Sequence, residues 1–334
     1  MIPSRRRLIG TTAATAALGM AGLPRAALAQ AAAPVLDTVR LVTGFTPGGT
    51  SDTLCRRVAD RLRGVHARTA VVENRAGAGG QIAIEQMKIA PADGSAILQT
   101  PASMLMIYPY IYRRLNYDPF TDLAPASLGC TFTFGWAVGP MVPESVRTIA
   151  DFVRWCKANP GQANFGSPAA GSVPHFVGSM LERAAGVEIK HVAFRGTQPA
   201  ILDMIGGQIA AVSGPVGEFT QHLRAGKARL LATSGAERSR FAPDVPTFVE
   251  QGFRSVEARE WMGFFLPGKA SPEVVQRTNV ALRAALAAPE VVEGLAVMGL
   301  EAASSTPAEL ARMLRTDYER WGPIVKATGF TADS

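Results

Sequence analysis

The chain has 334 residues and a formal net charge of +7, from 34 basic and 27 acidic residues. Four of the arginines, Arg5, Arg6, Arg7 and Arg25, lie in the first 29 residues, which contain no acid; the remaining 30 bases and 27 acids leave +3. That mild balance, without any basic stretch interleaved with aromatics, excludes nucleic acid as a partner. Cys55, Cys130 and Cys156 are too scattered for a zinc site or a redox pair. Either two of them form a disulfide and leave one thiol, or all three are small buried residues.

Residues 1–29 read as an export signal. Arg5-Arg6-Arg7 precedes a mild apolar stretch rich in Ala and Gly, and the small-residue site Ala27-Leu28-Ala29 follows Pro24 and Arg25. The paired arginines and weak apolar core resemble a twin-arginine signal; the alternative is an ordinary secretory signal with an extra arginine. Cleavage is expected after Ala29. No cysteine stands there to take a lipid, and no later apolar run approaches the ~20 residues that span a bilayer. The expected location is a bacterial periplasm.

About 305 residues then remain, more than one core comfortably holds, so two lobes are expected. Strand-like and helix-like patterns alternate, which favours α/β. Residues 39–45 read as a strand, 50–62 as a helix with Leu54, Val58 and Leu62 on one face, and 70–73 as a strand. After the loop Gly77-Ala78-Gly79-Gly80, 81–89 reads as a helix and 96–100 as a strand. A second stretch opens near Thr131, and Thr148-x-x-Asp151 resembles a capping box. Strands are expected at 163–165, 189–194, 209–213 and 230–233, with helices at 198–205 and 218–224. From Glu257 on, 261–266 reads as a strand and Ser271-Pro272 starts a helix. Thr306-Pro307-Ala308-Glu309 combines a cap, a proline at the first position and a glutamate at the third. Such a helical tail rarely forms its own domain, so it should return to the first lobe and make it discontinuous. The expected division is residues 30–127 with 256–334 in lobe 1, and 128–255 in lobe 2.

Two glycine-rich turns stand out. Phe45-Thr46-Pro47-Gly48-Gly49-Thr50-Ser51-Asp52 and Gly166-Ser167-Pro168-Ala169-Ala170-Gly171-Ser172-Val173-Pro174-His175 each lie between a strand and a helix start. A helix start offers unpaired N–H groups and a partial positive charge, and so binds an anion without a charged side chain. Around Gly48-Gly49 no side chain obstructs that approach. Two such turns suggest a clamp on a small acid between two lobes. Asp52, in the first helical turn, either accepts loop N–H bonds or meets a donor of the ligand. His175 either contacts the ligand or orients its own loop. Phe45, Phe194 and Trp261 pack in the core or hinge, or line the cleft.

Signatures of catalysis are missing from the sequence. There is no Gly-x-Ser-x-Gly, and the Gly77–Gly80 loop has Ile82 where a dinucleotide fingerprint has its third glycine. His66, His175, His191 and His222 form no pair at metal-ligand spacing. No cofactor or metal is expected. A hydrolase using Ser167 or Ser172 with His175 is the rival reading, although no acid is placed to orient the histidine.

In order, Phe45–Asp52, Glu73–Gly80, Ala92-Asp93-Gly94, Tyr117–Pro125, Ser167–His175, Val192–Gly196, Asp203–Gln208 and Pro243–Thr247 resemble the tripartite tricarboxylate transporter receptor family, the Bug-type extracytoplasmic solute receptors. The resemblance implies a two-lobed periplasmic-binding (Venus-flytrap) fold that holds a small carboxylate largely through backbone groups. By matching position it implies Phe45, Pro47, Gly48, Gly49, Ser51 and Asp52 in the first loop, and Ser167, Ala170, Gly171, Ser172 and His175 in the second. Arg195 and Gly196 would close over the other end. It also implies a monomer that serves membrane permease subunits or, alternatively, a sensor kinase. The family's usual Pro-Tyr is Ala193-Phe194 here, and its usual acid after Gly-Gly-Gln is Ala210. Both changes make the second lobe more apolar and tell against a polar amino-acid ligand.

Overall fold

The computed structural model describes residues 36–332; the export signal and its cleavage site lie outside them. The strands are β1 Leu36–Thr43, β2 Ala67–Asn74, β3 Ala96–Pro101, β4 Leu123–Val138, β5 Asn164–Ser167, β6 Lys190–Ala193, β7 Ala211–Pro215, β8 Arg229–Thr233, β9 Arg259–Pro267 and β10 Glu301–Ala302. The helices are α1 Thr50–Leu62, α2 Gln81–Met87, α3 Ser103–Met106, α4 Tyr108–Ile111, α5 Ile149–Ala158, α6 Val173–Ala185, α7 Thr197–Ile205, α8 Thr220–Arg224, α9 Pro272–Leu286, α10 Pro289–Ala296 and α11 Pro307–Thr328.

The strand order is β2-β1-β3-β9-β4-β7-β5-β6, with β8 and β10 also paired to β4. Parallel pairs β1–β2, β1–β3, β5–β6 and β5–β7 belong to two α/β halves. The long strand β4 joins them: Leu123–Thr133 pairs antiparallel with β9, and Phe134–Val138 with β7. Because β9 and the helices after it return to the half built on β1–β3, the first lobe is discontinuous.

Local rules account for many elements. Leu54, Val58 and Leu62 are all buried on α1. Thr148 and Asp151 form both bonds of a capping box at the start of α5, and Thr306 and Glu309 do so at α11. Thr306→Ala should therefore cost about 1 kcal/mol, seen as a melting temperature lower by a few degrees in calorimetry; unchanged melting would mean the cap contributes nothing.

The sequence patterns miss β4, whose 16 residues face packed neighbours on both sides. Its alternation is broken at two places where the register with β9 shifts, Pro125/Ser127 and Leu128/Cys130. The segment expected as one helix over 218–224 begins instead as a 3₁₀ turn, Val216–Phe219, before α8. The last helix packs on α3, α4, α9 and β4, as expected for the first lobe, but it also reaches α6. There Trp321 meets the Phe176 ring, and Arg183 donates to the Ala327 carbonyl at 2.9 Å.

Two cores result. Trp136 anchors one, against the rings of Phe152, Phe165 and Phe248. A smaller one joins α7 to β7 through Ile201, Met204 and Val212. All three cysteines are buried and unpaired.

Candidate ligand-binding cleft

The first loop leaves β1 and enters α1. Gly48 has φ +87°, a left-handed angle that favours glycine. Gly49 has φ −82° and ψ −179°, extended backbone open to any residue. A Cβ there would lie 3.6 Å from Glu218 Oε1, an ordinary contact. The constraint of angle thus belongs to Gly48 alone.

Asp52 is buried behind this loop. Its carboxylate accepts from the Gly48 N–H at 3.0 Å, Arg56 Nε at 2.8 Å and Asn74 Nδ2 at 3.0 Å. Asn74 also donates to the Phe45 carbonyl. Burial works against the charged form, but the bonds from Arg56, Gly48 and Asn74 outweigh it and hold the carboxyl below its usual range. Asp52 shapes the loop from within.

The second loop leaves β5 and enters α6, with Ser172 at the cap position. The Ser172 hydroxyl donates to the Ala169 carbonyl at 2.7 Å, and Ser167 Oγ lies 3.0 Å from the same carbonyl. Ser167 Oγ also lies 2.8 Å from His191 Nε2. A hydroxyl has one proton, so Ser167 donates either to Ala169 or to His191, and the His191 tautomer follows from that choice. His175 Nδ1 accepts from the Gly171 N–H at 3.0 Å, and its ring stacks on His191 with centroids 3.9 Å apart. Burial, helped by His191, pushes His175 down to about 3, and burial pushes His191 down to about 4. Both rings are neutral at pH 7. Among the described residues no carboxylate bonds to either.

One cavity receives both loops. Phe45, Gly49 and Ser51 line it from the first, with Thr46 and Thr50, and Ser172 from the second, with Pro168 and Pro174. The cavity has a volume of about 50 Å³, several times what one water needs. An adjoining cavity has Phe45, Ala170 and the exposed Arg195 against the Gly77–Gly80 loop. Gly48 lines a third beside Glu218. Pro47 is exposed. Asp52, Ser167, Gly171 and His175 lie behind the loops, and Gly196 lies beside Thr46, whose hydroxyl donates to the Arg195 carbonyl.

The cavity also contains residues that sequence reasoning missed. Glu218, on the turn after β7, is buried, and its Oε1 accepts from the Thr50 N–H at 3.1 Å. The start of α1 thus already has an acceptor, a carboxyl from the protein's other half. Gln198 Nε2 donates to Glu218 Oε2 at 3.1 Å. Burial raises the Glu218 carboxyl above its usual range despite these bonds. Glu260, on β9, accepts at Oε1 from the Ser103 N–H at 2.8 Å and from the Ser103 hydroxyl. Burial pushes it up to about 7. Phe132, Phe134, Met104 and Met262 complete the apolar wall. The available signal was a lone carboxylate beside or within an apolar strand: Glu218 after Ala211–Pro215, Glu260 in Arg259–Pro267.

A sequence profile described as the tripartite tricarboxylate transporter family receptor matches residues 54–330. The chain is 29% identical over 310 residues to protein BugT of Bordetella pertussis, covering 91% of this chain and 94% of that one. The solved structure of the periplasmic binding protein BugD superposes with a TM-score of 0.82 at 27% identity, covering 89% of this chain and 99% of BugD. Rpa4515 of R. palustris, solved with adipate, superposes with a TM-score of 0.83 at 28% identity, covering 89% and 99%. With the profile spanning most of its length and these folds superposing on 89% of it, the chain belongs to the tripartite tricarboxylate transporter receptor family, solute-binding receptors with a periplasmic-binding fold.

Proposed function

We propose that this protein is an exported, non-enzymatic receptor that captures a small organic acid between its lobes and presents it to a membrane permease. One observation carries the reading: loops from the two different halves, β1–α1 and β5–α6, line a single cavity. N–H groups at helix starts hold an acid by charge-assisted bonds without the cost of a permanently buried cation. The adipate bound to Rpa4515 supports a carboxylate for this chain too. Among the described residues no carboxylate orients His175 or His191, which favours a receptor over a hydrolase.

In this reading, residues 30–127 with 256–334 form one lobe and 128–255 the other, and the ligand brings them together. Gly49 and Ser51 on one side and Ala170 on the other present the acid-binding backbone, while Gly48 and Ser172, whose N–H groups bond Asp52 and the Ala169 carbonyl, shape the two loops. Asp52, Ser167, Gly171 and His175 hold those loops in shape. The signal on residues 1–29 directs the protein to the periplasm.

A thermal-shift screen of small mono- and dicarboxylates and amino acids tests the proposal. A true ligand at 100 times its dissociation constant adds about 2.7 kcal/mol, a shift of several degrees. Small-angle scattering with that ligand should then give a smaller radius of gyration. A screen in which no acid of any class shifts the melting temperature overturns the reading.

A further inference from the structure

The wall of the cavity that both loops line says more about the ligand, on the premise that the receptor reading holds. Its lining contains two carboxylates, Glu218 and Glu260, and no lysine, arginine or histidine. Each is 4% exposed. They come from different halves of the molecule, one after β7 and one on β9. Glu260 uses Oε1 for both bonds from Ser103. Its Oε2 has no hydrogen-bond partner among the described residues, although the side chain lines the cavity.

This arrangement is poor for a dianion. A second ligand carboxylate would enter a space of low dielectric that offers it no side-chain cation and two acids, each of which repels it whenever ionised. It suits a cation. An ammonium would give Glu260 Oε2 the charged donor it lacks. Phe45, Phe132 and Phe134 supply aromatic faces, which attract cations as well.

We propose that the cleft takes a zwitterion, a small carboxylic acid that also carries an ammonium group. Its ammonium bonds Glu260 Oε2, with Glu218 on the facing wall, and its carboxylate meets the N–H groups where the second loop enters α6. The sequence departures at Ala193, Phe194 and Ala210 pointed away from such a ligand; the two glutamates, absent from that reasoning, reverse it. The raised pKa of Glu260 adds a signature. Near neutral pH part of the population is protonated, and an arriving ammonium expels that proton.

The test is calorimetric titration of the exported protein near pH 7 with the protein amino acids and straight-chain ω-amino acids, against dicarboxylates of matched length, in two buffers of different ionisation enthalpy. The expected result is that an amino acid binds at least tenfold tighter than any dicarboxylate and that its binding releases protons. Glu260→Gln should weaken that amino acid at least tenfold and abolish the release. Dicarboxylates that bind tighter, or binding that takes protons up, would overturn the zwitterion and leave the receptor reading intact. An amino acid that binds Glu260→Gln, confirmed folded by its melting, as tightly as the native protein would overturn it too. Silence from every acid of both classes would overturn the receptor reading itself.

Discussion

Gly217→Ala is expected to destabilise the protein by about 3 kcal/mol or more. Gly217 belongs to the turn that carries Glu218. A Cβ there would lie 1.8 Å from the carbonyl carbon and oxygen of Met298 and 2.4 Å from the Gly299 nitrogen. All three are backbone atoms, so no side chain can swing aside. One of the two turns must move, and with it the carboxylate that accepts from Thr50. Gly161→Ala is the control, because nothing lies within 4 Å of a Cβ at that position, and it should stay within about 0.5 kcal/mol of the native protein. Thermal and denaturant unfolding of the pair measure the difference. Equal stability of the two variants would mean that the turns around Gly217 and Met298 do not touch in solution.

The second large effect depends on pH. The Glu260 carboxyl is raised to about 7 by burial, from its ordinary 4.5. Below pH 4.5 it is protonated in both folded and unfolded chains and contributes nothing. As the pH rises from there towards 7, the unfolded chain gives up the proton and the folded chain keeps it, so stability falls. Above pH 7 the full penalty is present, about 3 kcal/mol. Glu260→Gln keeps an oxygen for the Ser103 donors and has no charge to bury. It should match the native protein near pH 4 and exceed it by up to about 3 kcal/mol at pH 8, read as a melting temperature higher by several degrees. A difference of the same size at both pH values would mean that the charge of Glu260 is not what burial penalises. Loss of amino-acid binding alongside that gain would show one residue trading stability for recognition.

His175 and His191 have the opposite sign. Burial holds their folded pKa values, about 3 and 4, below the ordinary 6.5, so the neutral forms favour folding and that contribution is lost as the pH falls below 6.5. The native protein should therefore be most stable between these acid and neutral limits, and Glu260→Gln should move the maximum upward.

The elements legible from sequence depend on short-range physics. The caps at Thr148 and Thr306 satisfy N–H groups three residues away, so the residues that form them are adjacent on the page. The apolar face of α1 follows from a 3.6-residue period. The two strand–turn–helix loops were recognisable because glycine and a following helix start mark them locally. What escaped was long β4, where bulges interrupt the period and burial on both faces removes the alternation on which a strand reading relies.

By itself the sequence determined the α/β alternation, the family, the two loops and the exclusion of a metal-spacing motif, because each rests on residues that are neighbours in the chain. Only the tertiary structure decided what those loops face. Glu218 meets Thr50 across 168 positions and Glu260 meets Ser103 across 157, and no local pattern encodes such a meeting. It also decided that His175 and Asp52 turn toward their own loops, since the direction of a side chain depends on partners such as Asn74 that another strand supplies. Helix starts make an anion site wherever they occur, but which anion occupies one is set by the chain that folds over it.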